Sequence, residues 1–214
     1  MKLGTDVVVV ATKNKGKVRE FSHAFGKLGI TVQSMFDFTG LPEIVEDGPT
    51  FAANALIKAR IVGETLRIPV LADDSGLCVD ALDGAPGVYS ARYAGEGAED
   101  AANNAKLLKE LAGASVDQHA ITGDLPSDVK LLSSAQFVCA LALYNPADGT
   151  ALHAEGAVSG FIIDRMFGEG GFGYDPLFWV PALRRTMAEL STEEKQRISH
   201  RGEALSRLMN QLSS

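Results

Sequence analysis

The stretch Val7–Lys17, with the sequence VVVVATKNKGK, decides the fold of the first half of the chain because its character changes midway. Its first five residues are apolar, which predicts a buried strand. Lys13, Lys15 and Lys17 follow where this strand passes into an amphipathic helix. The macrodipole disfavours cations at a helix N-terminus and favours anions there. The lysines therefore predict a phosphate-binding turn, and the alternative is a solvated lysine-rich loop.

A pair of acidic residues follows a second short apolar run. Val70–Ala72 predicts a buried strand, and Asp73 and Asp74 come directly after it. Adjacent residues of a strand point to opposite faces, and a metal ion would relieve the charge of the carboxylate that faces a site. Mg²⁺ suits such oxygen ligands, and Glu46 in the preceding acidic loop is the second candidate ligand. The alternative is that the two aspartates only cap a turn.

Strand and helix patterns alternate in the first half of the chain, and two long strand patterns follow in the second. Helices are predicted over 50–67, with Thr50 as the N-cap, and over 100–111. Long strands over 136–144 and 151–163 predict a hairpin, and the mixture predicts an α/β protein with a mixed sheet. Residues 113–129 are polar and without periodicity, which predicts a mobile surface loop. A last helix is expected to pack Ile198, Leu205, Leu208 and Leu212 inward.

Three further groups of residues are candidates for ligand binding. Lys58 precedes the apolar Ala59 on the second predicted helix, so it either leans inward or is an ordinary exposed lysine. Residues 171–176, GFGYDP, frame aromatic rings with glycines, which suits stacking on a planar ligand and equally suits a tight turn with core aromatics. Lys195 and the run SHR at 199–201 could reach a base or a phosphate, and the alternative is capping and a solvated helix face.

Composition and charge argue against several classes of protein. The net charge of −7 disfavours binding to a nucleic-acid polymer, which needs a basic face. Cys78 and Cys139, both in apolar runs, suggest buried thiols and neither a disulfide framework nor a zinc site. The N-terminus has no signal-peptide pattern, and no apolar run reaches the roughly 18–20 residues of a membrane span. A cytoplasmic protein without a membrane partner is expected.

Five motifs, in order along the chain, resemble those of the Ham1/inosine triphosphatase family. They are TKNKGKVRE at 12–20, ADDSG at 72–76, GAPGVYSARY at 84–93, GGFGYDP at 170–176 and SHRG at 199–202. The resemblance spans residues 7–212. It departs from the family pattern at Ala53, where many relatives have Glu, and in the loop 113–129, which is longer than usual.

The resemblance implies a single catalytic domain over residues 1–214. It would have an elongated, two-lobed α/β fold around a long mixed β-sheet with flanking helices, an active site in the cleft between the lobes, and a homodimeric state. The implied reaction is Mg²⁺-dependent hydrolysis of non-canonical purine nucleoside triphosphates (ITP, dITP and XTP) to the monophosphate and pyrophosphate. A phosphatase that removes the terminal phosphate and a nucleotide-binding regulator without turnover are the alternatives.

The resemblance also implies a role for each candidate site residue. Asp74 would be the general base, with Asp73 beside it, and Glu46 and Asp74 would hold the metal. The expected substrate-binding residues are Thr12, Lys13, Asn14, Lys15, Gly16, Lys17 and Lys58 at the phosphates, together with Ser75, Phe172, Gly173, Tyr174, Asp175, Lys195, His200 and Arg201.

Overall fold

Strands and helices alternate along the N-terminal part of the chain, as the sequence predicts. The structure, a computed structural model, describes residues 5–27, 29–115, 125–126 and 128–213, so most of the predicted loop 113–129 lies outside the described residues. The strands are β1 (Val7–Val10), β2 (Thr31–Ser34), β3 (Val70–Val79), β4 (Leu131–Asn145), β5 (Thr150–Ile163), β6 (Phe178–Val180) and β7 (Arg185–Thr186). The helices are α1 (Lys15–Gly26), α2 (Phe51–Leu66), α3 (Asp100–Glu110), α4 (Thr192–Ile198) and α5 (His200–Ser213).

The seven strands form one sheet in the order β2-β1-β3-β4-β5-β6-β7. Strand β1 pairs in parallel with β2 and with β3, whereas β6 pairs antiparallel with β5 and β7. The predicted α/β fold with a mixed sheet is therefore confirmed. Within the described residues, no helix has both the length and the apolarity needed to cross a membrane.

The chain divides into two compact units, of which the first comprises Met1–Asp74, Cys139–Gly156 and His200–Ser214. Alternate residues of β1 belong to different core clusters in this unit. Val8 and Val10 pack with residues of α1 and α5, whereas Val9 packs with residues of α2. Because side chains alternate between the faces of a strand, α1 and α5 cover one face of the sheet and α2 covers the other.

The second unit comprises Ser75–Val138 and Ala157–Ser199. Its main core cluster joins Leu107 of α3 with Phe137 of β4 and Phe178 of β6, and the centroids of the two phenylalanine rings lie 4.5 Å apart. Aromatic pairs at this separation contribute beyond the area that they bury. The long strands β3, β4 and β5 contribute residues to both units.

Strand β3 differs from its prediction, because it continues to Val79 and does not end at Ala72. Asp73 and Asp74 therefore lie inside a strand. It is β1 that ends at this level: the N–H of Ala11 donates to the carbonyl of Leu71 at 2.8 Å. The N–H of Thr12 turns back to the carbonyl of Val10 at 2.8 Å, and Lys17 of the following lysine-rich turn forms a salt bridge with Asp73. The acidic pair and the lysines thus meet where β1 ends.

The predicted last helix is two helices, α4 and α5, with Ser199 between them. Ile198 ends α4 and packs with the core of the second unit, whereas Leu205 and Leu208 of α5 pack in the first. The prediction of a single last helix is therefore wrong, but the predicted inward packing of these residues and of Leu212 is confirmed. The start of helix α5 packs directly on the backbone of β5 at Gly156. A Cβ at this position would lie 2.2 Å from the carbonyl oxygen of His200, which is too close for any side chain.

Helix α2 begins at Thr50, as predicted. The Thr50 hydroxyl accepts the N–H of Ala53 at 3.2 Å, which satisfies one of the amide groups at the helix start. The methyl side chain of Ala53 cannot accept the N–H of Thr50 in return, so the capping box is incomplete. Helix α4 has a complete capping box: the hydroxyl of Ser191 accepts the N–H of Glu194, and the carboxylate of Glu194 accepts the N–H of Ser191 at 2.9 Å.

We expect Ala53→Glu to raise the free energy of unfolding by about 0.5–1 kcal/mol, because the new carboxylate completes the capping box with Thr50. Denaturant melts of both forms measure the difference. Ala53→Gln is the matched control, since it closes the box without adding charge near the acidic loop. Destabilisation by both variants would contradict the capping argument, whereas destabilisation by Glu alone would indicate charge repulsion.

Candidate active site

Asp73 is the centre of a buried ionic network in the first unit. Its side chain is fully buried and forms salt bridges with Lys17 of α1 and with Arg201 of α5, whose Nε donates at 2.9 Å. The thiol of Cys139 donates to the same carboxylate at 3.0 Å, and Nη1 of Arg201 also donates to Glu20 at 2.6 Å. Although burial opposes ionisation, the charges of Arg201 and Lys17 hold the pKa of Asp73 well below its ordinary range.

The lysine-rich turn follows β1 directly, as predicted. Asn14 is the N-cap of α1, and its side-chain oxygen accepts the N–H groups of Gly16 at 2.8 Å and Lys17 at 3.1 Å. Asn14 therefore occupies two of the N–H groups that were predicted to bind phosphate. Lys13 and Lys15 are exposed, while Lys17 is drawn inward by Asp73. The cationic side chains are what this turn presents to an anion.

Asp74 lies on the opposite face of β3, towards α2. The ammonium of Lys58 lies 3.1 Å from Oδ1 of Asp74 and 3.3 Å from Oε1 of Glu46. Lys58 is only 7% exposed, so its interpretation as an exposed helical lysine is wrong. Burial raises the pKa of Asp74 above its ordinary value, and the charge of Lys58 offsets part of that rise. Burial alone would lower the pKa of Lys58, but the carboxylates of Asp74 and Glu46 raise it.

The carboxylates of Glu46 and Asp74, which both lie against the ammonium of Lys58, are candidate ligands of a divalent metal ion. Among the described residues, no group of three His, Cys, Asp or Glu side chains could hold a metal ion. The protein would therefore supply two ligands, the carboxylates of Glu46 and Asp74. Mg²⁺ is commonly held by one or two carboxylates, with waters and substrate phosphates completing the shell. Within the described chain, Oδ2 of Asp74 is buried without a hydrogen-bond partner, which costs about 1–3 kcal/mol. A cation, or a water molecule that donates a hydrogen bond, would remove that cost at this oxygen.

The glycine-rich loop of the second unit is organised by Asp175. Its Oδ2 accepts the N–H of Phe172 at 2.9 Å and the ammonium of Lys195 at 2.7 Å, and that ammonium lies 5.1 Å from the centroid of the Phe172 ring. A Cβ at Gly171, where φ is +76°, would lie 2.1 Å from the same carboxylate oxygen. Only glycine fits there. The loop thus brings an aromatic ring, a carboxylate and an ammonium group together.

The remaining candidate residues are placed as follows. Tyr174 is buried, and its hydroxyl donates to the carbonyl of Ser90 at 2.8 Å, so it is a core aromatic. Ser75 lies in β3 next to Asp74, and His200 is the buried first residue of α5. Thr12 accepts the N–H of Asn14 at 3.1 Å. Contacts of these side chains with a substrate stay predictions.

The sequence did not indicate that two residues, Glu20 and Cys139, belong to the network around Asp73 and Arg201. Glu20 precedes the buried Phe21 on an amphipathic helix, and this is the one local sign of its burial. Cys139 follows the alternation of β4 and has no local sign of its bond to Asp73.

The residues from β1 to the C-terminal helix match the sequence model of the Ham1 family over positions 8–211. The chain belongs to the Ham1 family. Among curated relatives, the protein of Geobacillus kaustophilus named dITP/XTP pyrophosphatase is 50% identical over 204 residues, which cover 95% of this chain and 93% of that protein. The protein of the same name from Geobacter sulfurreducens is 48% identical over 205 residues, 96% of each chain.

Solved Ham1 structures share the fold. The Ham1 protein of Staphylococcus aureus superposes with a TM-score of 0.77 at 40% identity, covering 97% of this chain and 98% of that one. A HAM1 protein from Coxiella burnetii superposes with a TM-score of 0.79 at 40% identity and the same coverage. The expected position of the active site in a cleft stays a prediction.

We expect Asp73→Asn to lower the free energy of unfolding by about 3–5 kcal/mol near neutral pH, because it leaves a buried guanidinium and its lysine neighbour without their anion. Since the pKa of Asp73 is lowered in the folded state, its carboxylate stabilises the fold above the ordinary pKa of 3.8. This stabilisation is lost as the pH falls below that value towards the folded-state pKa. The difference from the wild type should therefore shrink in acid.

Denaturant melts over a pH series measure this difference. Asp128→Asn is the control, because that carboxylate also pairs with an arginine, Arg165, at 2.6 Å, but its side chain is 72% exposed. Exposed pairs contribute little to stability. Equal destabilisation by the two variants would contradict the importance of burial at Asp73.

Proposed function

We propose that this chain hydrolyses non-canonical purine nucleoside triphosphates, namely ITP, dITP and XTP, to the monophosphate and pyrophosphate. One observation carries the proposal: Asp74 is buried beside Lys58 and Glu46, on the strand that also anchors Lys17. Its pKa is raised, and among the described residues its Oδ2 has no hydrogen-bond partner. The names of relatives that are 48–50% identical along nearly the whole chain support it.

The lysine-rich turn would bind the triphosphate. Lys13 and Lys15 are exposed at the N-terminus of α1, where the macrodipole also attracts anions. Lys17 is held at the same helix start by Asp73. Cations preorganised in this way stabilise the charge that develops on a departing pyrophosphate without having to reorganise during the reaction.

Asp74 would act as the general base. Lys58 holds Oδ1 of Asp74, and Oδ2, which has no hydrogen-bond partner among the described residues, would accept a proton from the attacking water. The raised pKa makes this carboxylate a better proton acceptor than an ordinary aspartate. The water oxygen bonds to the α-phosphorus, its proton passes to Asp74, and the bond to the bridging oxygen breaks so that pyrophosphate leaves. Mg²⁺ held by Glu46 and Asp74 would neutralise phosphate charge and act as a Lewis acid.

The glycine-rich loop of the second unit would recognise the purine. The Phe172 ring offers a stacking surface, and the Lys195 ammonium near its face suits a keto oxygen at position 6 of the base. Adenine carries an amino group at that position, which would leave the buried ammonium facing a second donor. A site built for one hydrogen-bonding edge rejects the analogue that lacks it.

We further infer a homodimer and a cytoplasmic location, both of which rest on the resemblance to the family. Light scattering of the purified chain tests the first inference. Fractionation of cells that produce it tests the second.

The products identify the bond that breaks. With ITP and Mg²⁺ we expect IMP and pyrophosphate, and no orthophosphate until a separate pyrophosphatase is added, because attack occurs at the α-phosphorus. Reaction in oxygen-18 water should place the label in IMP, as measured by mass spectrometry. Accumulation of IDP with label in orthophosphate would establish a terminal phosphatase. A single turnover or none would favour a nucleotide-binding regulator.

Asp74→Asn should reduce kcat at least about 100-fold, the effect typical of removing a general base. The variant keeps the shape of the side chain, so it should remain folded, as its thermal melt would record. Asp47→Asn is the matched control, since Asp47 is an exposed carboxylate in the same acidic loop as Glu46. Near-normal turnover by purified Asp74→Asn would rule out Asp74 as the base.

A further inference from the structure

Two side chains of α3 hold the backbone of a single residue in the glycine-rich loop. The carboxylate of Asp100 accepts the N–H of Gly173 at 2.7 Å, and the side-chain amide of Asn104 donates to the carbonyl of Gly173 at 2.9 Å. We call Asp100 and Asn104, with these two bonds, the Gly173 clamp. Residues four positions apart lie on the same face of a helix, so one face of α3 grips both polar groups of Gly173.

The two bonds from α3 restrain the backbone of the glycine-rich loop at Gly173. Gly173 has a φ of +62°, and apart from its chain neighbours no atom of the described residues lies within 4 Å of where its Cβ would be. Gly171 also has a positive φ. Glycines of this kind are conformationally permissive, so the two bonds from α3 restrict the backbone at Gly173. Phe172, whose ring would stack on the purine, immediately precedes it.

The side chain of Asn104 is buried at a cost that its bond to Gly173 offsets. It is 3% exposed, and within the described residues its Oδ1 is buried without a hydrogen-bond partner. An apolar side chain of similar size would avoid that cost. The donor group of Asn104 is therefore what this position requires. Asp100, by contrast, lies exposed in the first turn of α3, where a negative charge is favoured.

We propose that Asp100 and Asn104 are positioning residues for purine selection. They fix the peptide of Gly173 and thereby the approach of Phe172 and Asp175 to the base. This inference rests on the proposed function, because it assigns the purine to this loop. Since small misplacements of binding groups are costly, loosening the clamp weakens recognition of the base and leaves the chemistry at the α-phosphorus intact.

Three variants test the Gly173 clamp. Asn104→Asp keeps the shape but replaces the donor with a carboxylate that repels the carbonyl of Gly173. Asp100→Ala removes the acceptor, and Asp100→Asn restores one, because an amide oxygen can accept the same N–H. Asp100 is exposed, so its variants fold even if a change at the buried Asn104 does not.

Asn103→Ala is the matched control. Asn103 neighbours Asn104 on α3 and is likewise 3% exposed, but it bonds elsewhere: its side chain accepts the N–H of Ala94 at 2.8 Å and donates to the carbonyl of Ala91 at 3.2 Å. Its loss should destabilise the protein without touching Gly173.

Steady-state kinetics with ITP and with ATP give the decisive readout. For Asn104→Asp and Asp100→Ala we expect kcat/KM for ITP to fall about tenfold, the size of one lost hydrogen bond, chiefly through KM. The ratio of kcat/KM for ITP to that for ATP should fall too. Asp100→Asn should recover most of both values, and Asn103→Ala should keep the wild-type ratio even if its melting temperature drops.

Binding of IMP, measured by calorimetry, separates the two proposals. If the wild type neither hydrolyses ITP nor binds IMP, the proposed function and the clamp both fail. If the wild type does both and the clamp variants keep its KM and its ratio of ITP to ATP, the clamp alone is overturned. An equal loss of the ratio in Asn103→Ala would likewise reduce Asp100 and Asn104 to structural residues.

Discussion

Two adjacent carboxylates inside a buried strand are the constraint on which the first unit depends. An unpaired charge in the interior costs several kcal/mol, so Asp73 and Asp74 each need a cation within reach. Because successive side chains of β3 point to opposite faces, the cations must come from both sides of the sheet. Helices α1 and α5 supply Lys17 and Arg201 on one face, and α2 supplies Lys58 on the other.

The same pair shows how environment separates two identical groups. Asp73 is surrounded by donors, and its lowered pKa keeps it ionised, which makes it an anchor for Lys17 at the helix start. Asp74 has one lysine partner and one buried oxygen without a hydrogen bond in the described chain, and its pKa is raised. Pairs of acids whose pKa values are driven apart in this way divide structural and chemical roles.

In the second unit the corresponding constraint is the conformational freedom of the glycine-rich loop around Gly171 and Gly173. Glycines at 171 and 173 allow the loop to turn tightly around the Asp175 carboxylate, but they give it little rigidity. Restraint comes from two directions: Lys195 fixes Asp175 from α4, and α3 fixes Gly173 from the other part of the unit. The loop thus combines conformationally permissive glycines with restraints from two helices.

The sequence by itself determined the features that neighbours along the chain decide. The apolar run of β1, the change to a helix at Lys15 and the cap at Thr50 follow from local composition and period. Family membership followed from the ordered motifs.

Tertiary structure alone decided where buried charges find their partners. Asp73 and Asp74 suggested a strand end because the run Asp-Ser-Gly is typical of turns. Strand β3 nevertheless continues, because Arg201, 128 positions away, and Lys58 neutralise the two carboxylates. Lys58 is buried because of where α2 packs. In the same way, the position of α3 allows Asn104 to bond to Gly173, 69 positions away. Such pairs form between distant segments, and neither member carries a local sign of the other.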